Sequence, residues 1–339
     1  MPTRRSILTA MAGSGLAVSI WTRPSSAAAL KPLPIAIGGF TFAYLPLLVA
    51  KAAGFFEAEG YDVSLINTGS GTNSLAAAIG GSVDVAGLVM SDLILAVAKG
   101  QKINAFAPLM SQYASDAVIS KKAAERVGFK PDQPLKERIA RLKGMTLAIS
   151  GRGSGTDKIW RYLLSLGGLD ADKDVTLTVV KLDQMYPALK AGQIEGFNTT
   201  APANNQAVED GLAVWAARPS QAEIPGIENF LYTVLCARPD YLAKNGEAAA
   251  MLVKGMTKGA QLIKSSPKDA GKFLHDAFFP QTSLDLIVDT VTDQRPTVAV
   301  PPTLSHEQFQ QNIDFELKFG QEVKAVSYDS VVNPRWLSS

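Results

Sequence analysis

Short apolar runs alternate with stretches of helical period along almost the whole chain. Residues 35–37, 63–66, 103–110, 147–149, 175–178 and 229–237 are brief runs rich in Ile, Val, Leu and Ala. Such runs read as buried strands when they are this short and bounded by turn residues. Between them, residues 46–53, 74–80, 91–99, 156–166 and 183–191 carry apolar positions at helical spacing, several stopped by a glycine. Helical patterns follow at 245–265, 268–277, 283–292 and 305–319. Strands that alternate with ~10-residue helices predict right-handed βαβ units and mainly parallel sheets. Residues 121–141 are charged and punctuated by Pro131 and Pro134, which predicts a surface excursion.

The pattern is written twice. Ile35-Ala36-Ile37-Gly38-Gly39 is answered about 112 residues later by Leu147-Ala148-Ile149-Ser150-Gly151. Val63-Ser64-Leu65-Ile66 finds its counterpart at Val175-Thr176-Leu177-Thr178. Ala78-Ile79-Gly80-Gly81-Ser82-Val83-Asp84 is matched by Leu189-Lys190-Ala191-Gly192-Gln193-Ile194-Glu195. The period is far longer than a solenoid repeat and fits two similar α/β lobes.

Composition agrees. The chain has 339 residues, 47% of them apolar and 19% charged, enough for about two domains. One cysteine, Cys236, and two histidines leave no material for a disulfide or for a Cys- or His-based metal centre. A net charge of +2 gives no footprint for nucleic acid. Residues 1–29 read as an address rather than as fold: paired Arg4 and Arg5, an apolar stretch diluted by Gly13 and Gly15, then Ser26-Ala27-Ala28-Ala29. That is the outline of an export signal, of twin-arginine type, with a periplasmic destination. Loss of its three arginines takes the formal charge from +2 to −1.

In open parallel sheets, ligands sit beyond the carboxyl ends of the strands, where helix N-termini present free N–H groups. This selects the loops holding Gly39, Phe40, Thr41, Phe42 and Tyr44; Gly69, Ser70, Gly71, Thr72 and Asn73; and Met90 with Ser91. In the second half it selects Gly151, Arg152, Gly153, Ser154, Gly155 and Thr156, then Asn198 and Thr199. Each loop has a plainer reading as a helix cap. Arg152, between glycines, suits a carboxylate or sulfonate but equally an exposed loop tip. Phe40, Phe42 and Tyr44 alternate, which aligns three rings either as core or as a wall for an aromatic ligand body. No loop ends in the Gly-Lys-Ser/Thr of a P-loop. Cys236 sits in an apolar run and reads as a small buried hydrophobe. Asp84 and Glu195, at strand starts, read as capping or hinge groups.

The stretch Ala50-Lys51-Ala52-Ala53-Gly54-Phe55-Phe56-Glu57-Ala58-Glu59-Gly60-Tyr61-Asp62-Val63 closely resembles a segment of the solute-binding proteins of nitrate/sulfonate/taurine-type ABC transporters. The resemblance continues through 78–86, Leu142-Lys143-Gly144-Met145-Thr146, Gly168-Leu169-Asp170, 188–195 and 260–270. It implies a type II periplasmic binding protein fold, with two α/β lobes joined by two crossing strands. Lobe one would be 31–115 plus 229–339, and lobe two 116–228. It also implies the loop residues named above as ligand contacts, no cofactor, a monomer, and a membrane permease with its ATPase as partners. The expected ligand is a small organic anion, a sulfonate or carboxylate with an apolar or aromatic body and its head near Arg152. The same fold also serves pyrimidine-type vitamin precursors, sensor subunits and a few enzymes. Those enzymes resemble Cys- or His-dependent chemistries that this chain, with one Cys and two distant His, does not supply.

Overall fold

The computed structural model describes residues 29–227 and 230–337. The export signal expected at 1–29 lies outside these residues save for Ala29, and so do Glu228 and Asn229, on which the expected lobe boundary falls.

Among the described residues, ten strands form two five-stranded sheets. The first sheet holds β1 (Lys31–Ile37), β2 (Tyr61–Asn67), β3 (Val85–Val89), β4 (Asn104–Met110) and β10 (Thr233–Ala237), in the order β2-β1-β3-β10-β4. The second holds β5 (Asp116–Ser120), β6 (Thr146–Ile149), β7 (Thr176–Val179), β8 (Gly196–Thr199) and β9 (Ala213–Ala217), in the order β7-β6-β8-β5-β9. One order maps onto the other strand by strand, as the repeated pattern requires: β1 on β6, β2 on β7, β3 on β8. In each sheet one strand runs against the rest. It is β10 in the first, antiparallel to β3 and β4, and β5 in the second, antiparallel to β8 and β9. Both enter their sheet from a crossing segment, 111–115 before β5 and, among the described residues, 218–227 and 230–232 before β10. A chain that crosses between sheets arrives at the end its parallel neighbours leave, so its strand runs backwards.

Two features go beyond the sequence pattern. Residues 121–141, the expected surface excursion, are mostly exposed but form helices Lys121–Val127 and Leu135–Ala140. Ala123, Ala124 and Ile139 are buried, and Pro134 stands at the N-cap of the second helix, where a missing N–H costs nothing. Strands β5 and β9, which no apolar run announced, complete the second sheet.

Helix Gly246–Ser265 lies on helix Leu45–Ala52 at a distance set by glycine. A Cβ added at Gly259 would stand 2.5 Å from the Pro46 carbonyl oxygen. The following helix, Pro267–Phe278, covers the loop after β1 with its last residues. Helix His306–Lys318 runs back to the crossing segments. There Tyr113, Phe230, Phe315 and Tyr162 pack ring against ring with centroids 5.2–5.4 Å apart. The rings come from both crossings, the C-terminal helix and the second half, so they gather where the chain passes between the sheets.

Candidate functional site: the cleft between the halves

Beyond the carboxyl ends of β1, β3, β6 and β8 the halves meet. The Phe42 N–H donates to the Ala201 carbonyl at 2.6 Å and the Ala43 N–H to Thr200 Oγ1 at 2.9 Å. Tyr113 donates its hydroxyl to the Gly155 carbonyl at 3.2 Å. These bonds enclose a cavity of about 40 Å³. Its first-half wall includes Thr41, Tyr44, Gly71 and Asp92; its second-half wall includes Ser150, Ser154, Thr156, Thr199 and Thr200.

Caps set this geometry. Ser70 Oγ accepts the Asn73 N–H at 3.2 Å and Ser154 Oγ the Asp157 N–H at 3.4 Å, so helices Gly71–Ile79 and Gly155–Leu166 both begin at the cavity. The Ser150, Ser154 and Thr156 hydroxyls form a triangle with 2.9–3.1 Å edges. Tyr44 Oη accepts the Gly38 N–H at 3.0 Å, and burial pushes its phenol up to about 12, so it keeps its proton. The Tyr44 ring needs Gly87 beneath it: a Cβ there would sit 2.8 Å from Tyr44 Cε1.

The structure brings seven of the sequence-selected residues to the cavity wall: Thr41, Tyr44, Gly71, Ser154, Gly155, Thr156 and Thr199. Asn198 lies just behind it, buried, donating to the Thr156 carbonyl at 2.8 Å. Gly39, Gly69, Ser70, Thr72, Asn73, Met90, Ser91, Gly151 and Gly153 shape the loops without lining it. The aromatic wall is corrected. Phe40 stacks on Phe278 at 5.4 Å and Phe42, fully buried, meets Phe279 edge-on at 5.8 Å, because the end of helix Pro267–Phe278 covers that side of the loop. Arg152 is corrected too. Its guanidinium donates to the Leu177 carbonyl at 3.0 Å, stands 3.8 Å from Asp172, and lines a groove outside the cavity. A ligand head in the cavity would therefore not meet Arg152, whose groove is lined also by Asp92, Lys158 and Glu316.

Sequence reasoning missed the charges. Lys158, from the second half, places Nζ 3.0 Å from Asp92 Oδ1 and 3.1 Å from Glu316 Oε1, both from the first half. All three side chains are at least nine-tenths buried. Burial lowers the Lys158 pKa, but Asp92 and Glu316 more than offset it and the net shift is upward. Burial raises the Glu316 carboxyl, with Lys158 opposing. The available signal was Asp92 as the one charge in the apolar helix Met90–Ala98. Elsewhere, Glu195 accepts the Thr146 N–H at 3.0 Å and Asp84 pairs with Arg238 at 2.9 Å, structural roles at the far strand ends. The Cys236 thiol is fully buried and pushed far up by that burial. His275 bonds Asp276 on the covering helix, away from the cavity.

Gly155 sets how closely the halves approach, since a Cβ there would lie 2.9 Å from Val89 Cγ2 across the cleft. Gly155→Ala is expected to disfavour this close approach of the halves by ~1–2 kcal/mol, about tenfold in the population that makes it. The thermal midpoint should hardly move, because alanine suits a helix better than glycine. Small-angle scattering beside a melting curve checks both parts of that statement; an unchanged radius contradicts it.

A family model described as NMT1-like matches residues 29–273, most of the chain. The chain belongs to the NMT1-like family. Among curated proteins, this NMT1-like chain is 25% identical to the Bacillus subtilis protein YtlA over 299 residues, covering 86% of this chain and 84% of that one. It is 27% identical to the bicarbonate-binding protein CmpA of Synechococcus elongatus over 65% of this chain, and it spans about half (51%) of CmpA's length. Among solved structures, the alkanesulfonate-binding protein SsuA from Xanthomonas axonopodis, bound to MOPS, superposes with a TM-score of 0.70 at 18% identity over 91% of this chain and 99% of SsuA. At that identity the likeness establishes the fold, that of periplasmic binding proteins.

Proposed function

We propose that this NMT1-like protein is the periplasmic substrate-binding component of an ABC importer. It holds a small organic solute in the cleft, closes over it by a hinge at the crossing segments, and presents the closed form to a membrane permease that works with an ATPase. One observation carries this reading: the polar cavity is built from both halves at once, with Thr41, Tyr44 and Asp92 facing Ser154, Thr156 and Thr199. A ligand that touches both walls stabilises only the closed arrangement. Moving a closed fraction from 1:99 to 99:1 takes ~5.5 kcal/mol of differential binding. A micromolar ligand supplies ~8 kcal/mol in all. Closure is thus within reach if most contacts need both halves. Support also comes from the family and from relatives named as binding proteins for bicarbonate and alkanesulfonate.

The test is small-angle scattering of the purified protein across a broad panel of small solutes, with each solute recovered and analysed afterwards. The expected result is compaction by a narrow chemical subset, returned unaltered. Profiles that never change, or a solute returned as a different molecule, would overturn the reading.

A further inference from the structure

The cavity wall carries one acceptor with nothing to accept. Asp92 Oδ1 takes the Lys158 ammonium at 3.0 Å, but Asp92 Oδ2 is buried without a hydrogen-bond partner. It lies on the Gly71 side, 3.7 Å from where a Gly71 Cβ would stand, and Gly71 and Asp92 line the same cavity. The side chain is 5% exposed, so bulk water does not reach that oxygen. Buried carboxylate oxygens are ordinarily satisfied, and an unpartnered one on the wall of a void can accept from a donor group of a guest. The void, about 40 Å³, exceeds the ~10–15 Å³ that one water needs.

Charge points the same way. Two carboxylates, Asp92 and Glu316, share one ammonium, Lys158, so the floor of the cleft carries an excess negative charge when all are ionised. No Lys, Arg or His lines the cavity among the described residues. Hydroxyls dominate the remaining wall, and they can donate or accept as a ligand requires. The helix N-termini at Gly71 and Gly155 supply N–H groups for acceptor atoms elsewhere on the ligand.

We propose that Asp92 is a specificity-determining residue and that the cleft takes a solute bearing a cationic nitrogen group, an amine or amidine, in preference to a plain oxyanion. This rests on the solute-binding reading above and narrows it. The nitrogen group donates to Asp92 Oδ2, while the rest of the molecule meets the hydroxyls of Ser154, Thr156 and Thr199. The named relatives bind bicarbonate and alkanesulfonate, so this NMT1-like chain would differ from them in the sign of the group its floor receives.

Pairs of like-shaped ions of opposite charge test it on the unaltered protein. Guanidinium is set against nitrate, and acetamidinium against acetate, by calorimetry and by scattering at matched ionic strength. The expected result is that each cation binds and compacts the protein better than its anion. Asp92→Asn should then weaken the cations by about 10- to 100-fold, the scale of a charged hydrogen bond, and leave the anions where they were. An anion binding as well as its cation overturns the proposal, as does no binding by either cation, or an Asp92→Asn protein with undiminished cation affinity. If anions compact the protein, the solute-binding reading survives while this one falls; if no solute in the broad panel does so, both fall.

Discussion

Replacing Lys158 by methionine is expected to open the cleft of the ligand-free protein and to cost the closed form about 3–5 kcal/mol, the usual penalty for stranding a buried charge. Methionine keeps much of the lysine stem's volume but removes the ammonium that Asp92 and Glu316 share. Because the lysine belongs to one half and both acids to the other, the stranded carboxylates have an escape that a core ion pair lacks: the halves part and water returns. A penalty of 3 kcal/mol changes a closed-to-open ratio by more than about 100-fold, so scattering should show the increase in radius directly. The defect should shrink as pH falls. Burial already raises the Glu316 carboxyl, and a protonated Glu316 no longer needs the lysine. A variant as compact and as heat-stable as the wild type at neutral pH would show that the three groups do not hold the halves together.

How much of this was written in the chain depends on the range of the interaction. The doubled strand–helix pattern is local, and it predicted three corresponding strands in each sheet because a buried parallel strand must be apolar throughout. Strands β5 and β9 escaped notice since Asp116–Ser120 and Ala213–Ala217 are short and flanked by charged or small residues. The capping loops were legible for the same local reason: Ser70 and Ser154 stand one residue before their helices and bond as caps do. Phe40 and Phe42 show the limit. Alternation with Tyr44 predicts three rings on one side of an extended segment, but Phe42–Tyr44 is a 3-10 turn: Tyr44 lines the cavity, while Phe278 and Phe279, more than 200 residues away, cover Phe40 and Phe42. Arg152 failed likewise, captured by the Leu177 carbonyl and Asp172 after an intervening helix. The Asp92–Lys158–Glu316 cluster needs three helices from two halves to meet, and spacing along the chain carries no trace of such a meeting.

Stability should rise as pH is lowered from neutrality, and Asp116 should be a main reason. This carboxyl stands where β5 leaves the first crossing segment and ties it to the second. Oδ1 accepts the Ser220 N–H at 2.9 Å, and Oδ2 accepts the Ser220 hydroxyl at 2.6 Å and Arg218 Nε at 3.4 Å. Burial pushes its pKa up to about 6, although the Ser220 and Arg218 contacts pull the other way. In the unfolded chain an aspartate titrates near 4. Between those values the folded protein holds a proton that the unfolded chain has released, so folding is favoured by acid there. The gain begins as pH drops through about 6 and is complete near 4, amounting to roughly 2–3 kcal/mol. Exposed carboxylates held low by lysine or arginine neighbours, such as Asp172 and Asp276, act in the opposite sense at still lower pH. Comparison with Asp116→Asn therefore isolates the effect: asparagine keeps an acceptor for the Ser220 N–H and cannot titrate. Urea midpoints measured from pH 7 down to 4 should climb more in the wild type than in the variant, and parallel curves would show that Asp116 is already an ordinary carboxylate. Since Asp116 joins the two crossing segments, the same protonation leaves the Ser220 link in place while releasing Arg218, so acid should loosen the crossing even as it stabilises the fold.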